Sequence, residues 1–172
     1  CMAQRRVSSI VSSSFTLCIT NVGQVFSFGN AEYGAQGHID RTPNIISSLE
    51  NITFVAVGMS HSICIDYNGN VFALGRNFKG ELGIEGCTYT RIPKKVCNLP
   101  PCKEVTCGMD FTICLTEDGL LYSFGTNNSW ALGIGNSNSQ FYTKTPQLIS
   151  SLKDVEFVEC GQRHVFCKTL NN

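Results

Sequence analysis

The chain has 172 residues, 42% of them apolar and only 15% charged, which excludes a disordered segment and is enough to bury a core. Thirteen basic and thirteen acidic residues leave no formal net charge, so a surface that grips nucleic acid through its phosphates is not indicated. No apolar run reaches the length of a membrane span, and residues 7–14, after Arg5 and Arg6, are too rich in serine for a signal-peptide core.

From residue 12 onward the chain repeats. Ser12, Gly58, Gly108 and Gly161 each open a copy, giving copies over 12–57, 58–107 and 108–160 and the start of a fourth over 161–172. Gly23, Gly69 and Gly119 stand at one position of the copy, Gly29, Gly75 and Gly125 at the next, and Gly37, Gly83 and Gly133 at a third. Pro43, Pro93 and Pro146 each precede the following copy by 15 residues. All variation in length falls in one stretch: 6 residues from Gly37 to Pro43, 10 from Gly83 to Pro93 and 13 from Gly133 to Pro146. A rigid unit with one elastic surface loop is the signature of stacked structural repeats.

Each copy reads as short strands. The first turns a hairpin at Thr20-Asn21-Val22-Gly23. In the second, Phe54-Val55-Ala56-Val57 is one strand and His61-Ser62-Ile63-Cys64-Ile65 the next. Asp66-Tyr67-Asn68-Gly69 then turns the chain, with Asn-Gly supplying positive φ, into Val71-Phe72-Ala73-Leu74. A fourth, shorter extended stretch follows the proline, as in Pro93-Lys94-Lys95-Val96. The third copy turns at Thr116-Glu117-Asp118-Gly119. Four short strands per copy predict an all-β fold and the blades of a β-propeller, about three of them with the opening strands of a fourth.

The ten cysteines contain no C-x2-C pair, and the five-residue spacing of Cys97, Cys102 and Cys107 fits no zinc pattern, so no metal site and no cofactor are expected. Cys18, Cys64, Cys114 and Cys167 share one strand position, and Cys107 and Cys160 stand where Val11 and Val57 do. These six read as core positions, where free cysteine serves as a small hydrophobe. The chain is therefore read as reduced and intracellular, cytoplasmic or nuclear. Cys1, Cys87, Cys97 and Cys102 receive no role.

Two propeller families are set aside. Kelch repeats carry a double glycine, and none of the sixteen glycines here adjoins another. WD repeats need Trp-Asp, and Trp130, the only tryptophan, precedes Ala131. The pattern resembles the regulator-of-chromosome-condensation repeat. Its landmarks appear as Val57-Gly58-Met59-Ser60-His61-Ser62, then Gly69 through Gly75, then Gly80-Glu81-Leu82-Gly83 and Pro93. They recur as Cys107-Gly108-Met109-Asp110-Phe111-Thr112 and Leu120 to Asn127, and Cys160-Gly161-Gln162-Arg163-His164 opens a fourth copy. The family's Trp-Gly is Phe28-Gly29, Leu74-Gly75 and Phe124-Gly125 here; Phe15 and Phe111 stand where His61 and His164 do; Trp130 stands where Gly34 and Gly80 do. The chain is thus expected to be a divergent member.

The resemblance implies a seven-bladed ring, of which these copies make a wedge. Three explanations follow: a segment of a longer chain, which is ranked first, copies that associate to close a ring, or capped ends. It also implies that the turns between strands one and two gather on one face that holds partners. Those turns are Ser13-Ser14, Met59-Ser60, Met109-Asp110 and Gln162-Arg163. The expected role is a protein-interaction scaffold without chemistry of its own. The alternative is guanine-nucleotide exchange on a Ran-like small GTPase, where an acid in a G-x-D-H turn aids nucleotide release. Gly108-Met109-Asp110-Phe111 matches that turn except at histidine, so Asp110 is the candidate for it, beside the ordinary use of aspartate in turns. The β-wedge of such exchange factors has no counterpart visible in these loops. Tyr33, Arg76, Phe78, Lys79, Trp130 and Phe141, in the loops after the second glycine, are further candidates for partner contact, with packing between blades as the other use of Trp130. His61 and His164 are expected to bond backbone inside their blades. No nucleophile–base arrangement and no phosphate loop is present.

Overall fold

The computed structural model describes residues 6–30, 32–40, 42–135 and 141–170; Cys1 and part of the stretch from Gly133 to Pro146 lie outside them. The described residues form fourteen strands and one turn of 3-10 helix, Glu32–Gly34. The first sheet holds β1 (Val7–Ser12), β2 (Phe15–Thr20), β3 (Val25–Gly29) and β4 (Asn44–Ile45) in that order. The second holds β5 (Ile52–Val57), β6 (His61–Asp66), β7 (Val71–Arg76) and β8 (Tyr89–Lys95), and the third β9 (Cys102–Cys107), β10 (Phe111–Thr116), β11 (Leu121–Thr126) and β12 (Tyr142–Leu148). β13 (Val155–Cys160) pairs with β14 (Val165–Thr169). All pairings are antiparallel. A sequence copy opened at its landmark glycine therefore carries strands two to four of one sheet and strand one of the next.

The core lies between sheets rather than within one. One apolar cluster joins Leu17, Val25 and Ile46 of the first sheet to Val55, Cys64 and Leu74 of the second. Another joins Ile63, Val71, Leu82 and Val96 to Cys102, Cys114 and Phe124. A third joins Ile113, Leu121, Leu132 and Ile149 to Val155 and Val158. Each sheet is thus a blade, and each core is a seam between blades. That explains why β6 and β10 are buried along nearly their whole length: strand two is covered from both sides.

The fourth strand departs from the sequence reading. In blades two and three it begins before the proline and runs through it, as β8 around Pro93 and β12 around Pro146. The register slips there, from Ala73↔Lys94 to Gly75↔Thr90 and from Ser123↔Gln147 to Gly125↔Thr143, so each proline sits in a bulge. Thr90 and Thr143 each donate a hydroxyl to the carbonyl two residues on, at 2.7 and 2.9 Å. An edge strand with a bulge is where a residue lacking N–H is tolerated.

The first two seams are closed alike. Gly34 and Gly80, at φ 80° and 81°, lie against the outer strand of the following blade. A Cβ at Gly34 would stand 2.9 Å from Arg91 Cα, and one at Gly80 would stand 2.6 Å from Lys144 Cα and nearer still to the Thr143 carbonyl. A second device recurs: the Ser62 hydroxyl donates to the Ala35 carbonyl (2.7 Å), and the Thr112 hydroxyl to the Glu81 carbonyl (2.9 Å).

Candidate functional site

The turns between strands one and two form a continuous row. The Ser14 hydroxyl donates to the Met59 carbonyl (3.0 Å), the Met59 amide to the Met109 carbonyl (3.1 Å) and the Met109 amide to the Gln162 carbonyl (3.0 Å). The loops after strand three lie on the same face. The amides of Asn30, Arg76 and Thr126 donate to the carbonyls of Ser14, Ser60 and Asp110, at 3.2, 2.8 and 2.9 Å. The structure therefore brings Met59, Ser60, Met109, Asp110, Gln162, Arg163, Arg76 and Lys79 to one end of the stack. Met59, Lys79, Gln162 and Arg163 are exposed, while Ser60, Met109, Asp110 and Arg76 are half-buried.

Exposed aromatic side chains stand in the loops after strand three. Tyr33 and Phe78 meet edge to face across the first seam, with ring centroids 5.3 Å apart. Trp130 is 61% exposed and Phe141 67%, and Trp130 lines a cleft between the third and fourth sheets with Ile149, Val165 and Cys167. The Tyr33–Phe78 contact was not visible in the sequence, because it joins corresponding loops of two copies.

Asp110 is not a free turn carboxylate. Its Oδ1 takes a hydrogen bond from an Arg76 guanidinium nitrogen, across the second seam. Arg76 Nε also donates to Glu81 Oε1 at 2.8 Å. Glu81 is fully buried, and its Oε2 accepts the Lys79 amide at 2.7 Å. This three-residue bridge plugs the second seam beneath the face. Thr126, Ala131 and Arg163 occupy the corresponding positions at the third seam, where an open cleft of about 200 Å3 lies instead.

His61 also differs from expectation. Its Nε2 bonds the Thr112 hydroxyl of the next blade at 3.0 Å rather than backbone of its own. Thr112 gives its only hydroxyl proton to the Glu81 carbonyl, so Nε2 carries the ring proton and donates. Nδ1 is buried without a partner among the described residues. Burial, and then the Arg76 charge, lower the His61 pKa to about 3. His164 is exposed, with its ring edge to face with Phe166.

The linkage has a definite sign. The unfolded chain takes up the His61 proton near pH 6.5, and the native protein resists it down to about pH 3. Stability is therefore lost as pH falls through this window, by at most about 1.4 kcal/mol per pH unit from this residue. Phe15 and Phe111 hold the same position in their copies. His61→Phe is accordingly expected to flatten the pH 3–6.5 limb of a urea-midpoint profile, and an unchanged slope would assign the acid sensitivity elsewhere.

The cysteines are largely in the interior. Cys18, Cys64 and Cys114 are buried and Cys107 and Cys160 half-buried, but Cys167 is exposed, a correction to its place among the core positions. Burial pushes the Cys64 thiol up to about 12, so it is an apolar filler rather than a nucleophile. Cys102, which received no role, is buried in the second seam. Ile52 and Val155 at its position were the signal that placed it there. Among the described residues no three His, Cys, Asp or Glu side chains are grouped to hold a metal, and no helix is long and apolar enough to cross a membrane.

Four-stranded antiparallel blades stacked through apolar seams define a β-propeller assembly. The sequence model of the regulator of chromosome condensation (RCC1) repeat matches residues 68–115 and 118–167, and a second model of that repeat matches 102–129. The chain belongs to the regulator of chromosome condensation repeat family. It is 38% identical over 93 residues to Protein RCC2 of Homo sapiens, which covers 49% of this chain and 18% of that protein. Among solved structures, human WBSCR16 superposes with a TM-score of 0.80 at 23% identity, covering 91% of this chain and 43% of that one. Prp20p of Saccharomyces cerevisiae gives 0.60 at 16% identity, covering 97% and 56%; its structure was described together with its binding properties to Gsp1p and histones. The chain thus spans about a fifth of the length of the RCC2 proteins it matches.

Proposed function

We propose that this chain is a protein-interaction module whose turn face holds another protein and carries no chemistry of its own. The observation behind this reading is the row of linked turns, Ser14 to Met59 to Met109 to Gln162, with exposed aromatic side chains in the loops after strand three. Aromatic side chains rigidly placed around a polar centre are the usual anchors of a protein interface. Met59, Tyr33, Phe78, Trp130 and Phe141 are the contact residues in this reading, with Lys79, Gln162 and Arg163 between them. Buried thiols used as packing, at Cys64, Cys102 and Cys114, suit a reducing intracellular setting.

Guanine-nucleotide exchange is the second reading. Asp110 lies in the same row, and Prp20p supplies the precedent of binding Gsp1p. Against it, Asp110 spends a carboxylate oxygen on Arg76. The two readings part in one assay. Release of fluorescent GDP from Ran and related small GTPases is expected to run at its spontaneous rate with this protein present. Acceleration that Asp110→Ala reduces tenfold or more would establish exchange instead. Binding to a candidate partner, measured by calorimetry, is expected to fall at least tenfold in a Met59→Asp, Phe78→Asp double variant with an unchanged circular dichroism spectrum. Retained affinity in that variant would remove the turn face from the interface.

A further inference from the structure

The second seam shows how this chain fills the space beneath its turn face. Arg76, on the loop after β7, reaches Asp110 on the turn after β9, and the buried Glu81 holds Arg76 from within. At the third seam the polarity is reversed. The turn after β13 carries a base, Arg163, at the place of Asp110, and the loop after β11 carries Thr126 and Ala131, with no acid, at the places of Arg76 and Glu81. The room that the Arg76 and Glu81 side chains occupy in one seam is left in the other as the cleft of about 200 Å3. Arg163, Gln162, Thr126, Asn128 and Ser129 line it, so both walls belong to this chain and neither is an outer strand. Arg163 is exposed and forms no ion pair with a described residue. Residues 136–140 read Asn-Ser-Asn-Ser-Gln and contain no acid to offer it. Asp110 also lines the cleft, but it already gives a carboxylate oxygen to Arg76.

We propose that this cleft takes a glutamate side chain of the partner protein, whose carboxylate pairs with Arg163 and completes in trans the kind of bridge that the second seam makes in cis. The chemistry of the walls fits an acceptor. A guanidinium presents a fork of donors, and the amides of Gln162 and Asn128 and the hydroxyls of Thr126 and Ser129 can all donate beside it. Glutamate, rather than a phosphate, is the occupant because the chain itself places a glutamate, Glu81, in the equivalent space. A cleft wall also strengthens the pair over one formed in open solvent, where ion pairs contribute little. The inference rests on the interaction reading and names the chemistry that the turn face selects.

An NMR titration tests it, with a blocked Gly-Glu-Glu-Gly peptide as the probe and its Gly-Gln-Gln-Gly counterpart as the control. The glutamate peptide is expected to shift the Arg163 Nε–H signal and the amides of Asn128, Ser129 and Gln162 to saturation, and the glutamine peptide to leave them in place. Arg163→Gln is expected to weaken binding about tenfold or more, whereas Lys153→Gln, which removes the same charge elsewhere, leaves it unchanged. Thr126→Glu puts an acid in the chain at the place of Arg76. It is expected to move the Arg163 signal toward its bound position without any peptide and to abolish binding of the probe. Equal loss in the Arg163 and Lys153 variants would reduce the effect to diffuse charge attraction and overturn the proposal. So would binding about tenfold tighter when phosphoserine replaces glutamate, which would assign the cleft to phosphate. The two readings fail separately. A Met59→Asp, Phe78→Asp variant that loses its partner, in a protein whose Arg163 ignores the glutamate peptide, keeps the interaction face and removes the glutamate pocket.

Discussion

Arg76→Ala is expected to destabilise the protein by about 3 kcal/mol, because removing one partner of a buried ion pair leaves the other charge uncompensated. Glu81 is fully buried, and apart from Arg76 its carboxylate keeps only the Lys79 amide. Asp110, partly exposed, contributes less to the loss. A urea titration reads the change directly. The chain itself suggests the rescue: Thr126 and Ala131 occupy the corresponding positions in the third copy. Arg76→Thr combined with Glu81→Ala is expected to recover most of the lost stability, since no buried charge then remains. A loss below about 0.5 kcal/mol in the single variant would mean that water reaches Glu81 and the bridge is superficial.

Gly80→Ala should be comparably costly, at roughly 3 kcal/mol. A left-handed residue with a Cβ costs on the order of 1 kcal/mol, and crowding a close contact costs roughly 1–3 more. Here the Cβ meets the backbone of β12 at Thr143 and Lys144, which cannot rotate away as a side chain would. For a chain of this size the loss corresponds to a fall in Tm of roughly 6–12 °C. Trp130→Gly, made at the same position of the third copy, is expected to hold or raise Tm. Scanning calorimetry of the two variants separates them, and a Gly80→Ala protein that melts with the parent would mean that β12 shifts freely off the glycine.

The blade architecture was legible in the sequence because its markers are glycines whose spacing tolerates no drift. The turns at Gly23, Gly69 and Gly119 and the strands between them lie where the repeat placed them. What escaped was everything that passes from one blade to the next. Arg76 and Asp110 are 34 residues apart, and only the stacking of blade three on blade two brings them together. The partner of His61, Thr112, is likewise in another sheet. Trp130 could be aligned with Gly34 and Gly80, but alignment does not reveal that an outer strand presses on those two glycines. The prolines misled in a smaller way. They read as strand starts, whereas Pro93 and Pro146 are accommodated inside β8 and β12 by bulges that periodicity cannot display.

The links between the central turns use main-chain amides and carbonyls at Met59, Met109 and Gln162, not the side chains that project from them. Their strength is therefore nearly independent of which residues the turns carry. At Met59, Met109 and Gln162 the side chain can change while these links persist, whereas Ser14 and Asp110 bond across a seam through their own side chains. At those three positions adhesion between blades and choice of partner are in this way separately adjustable. A lineage of such chains can exchange its recognition residues, one turn at a time, without first having to rebuild the scaffold that displays them.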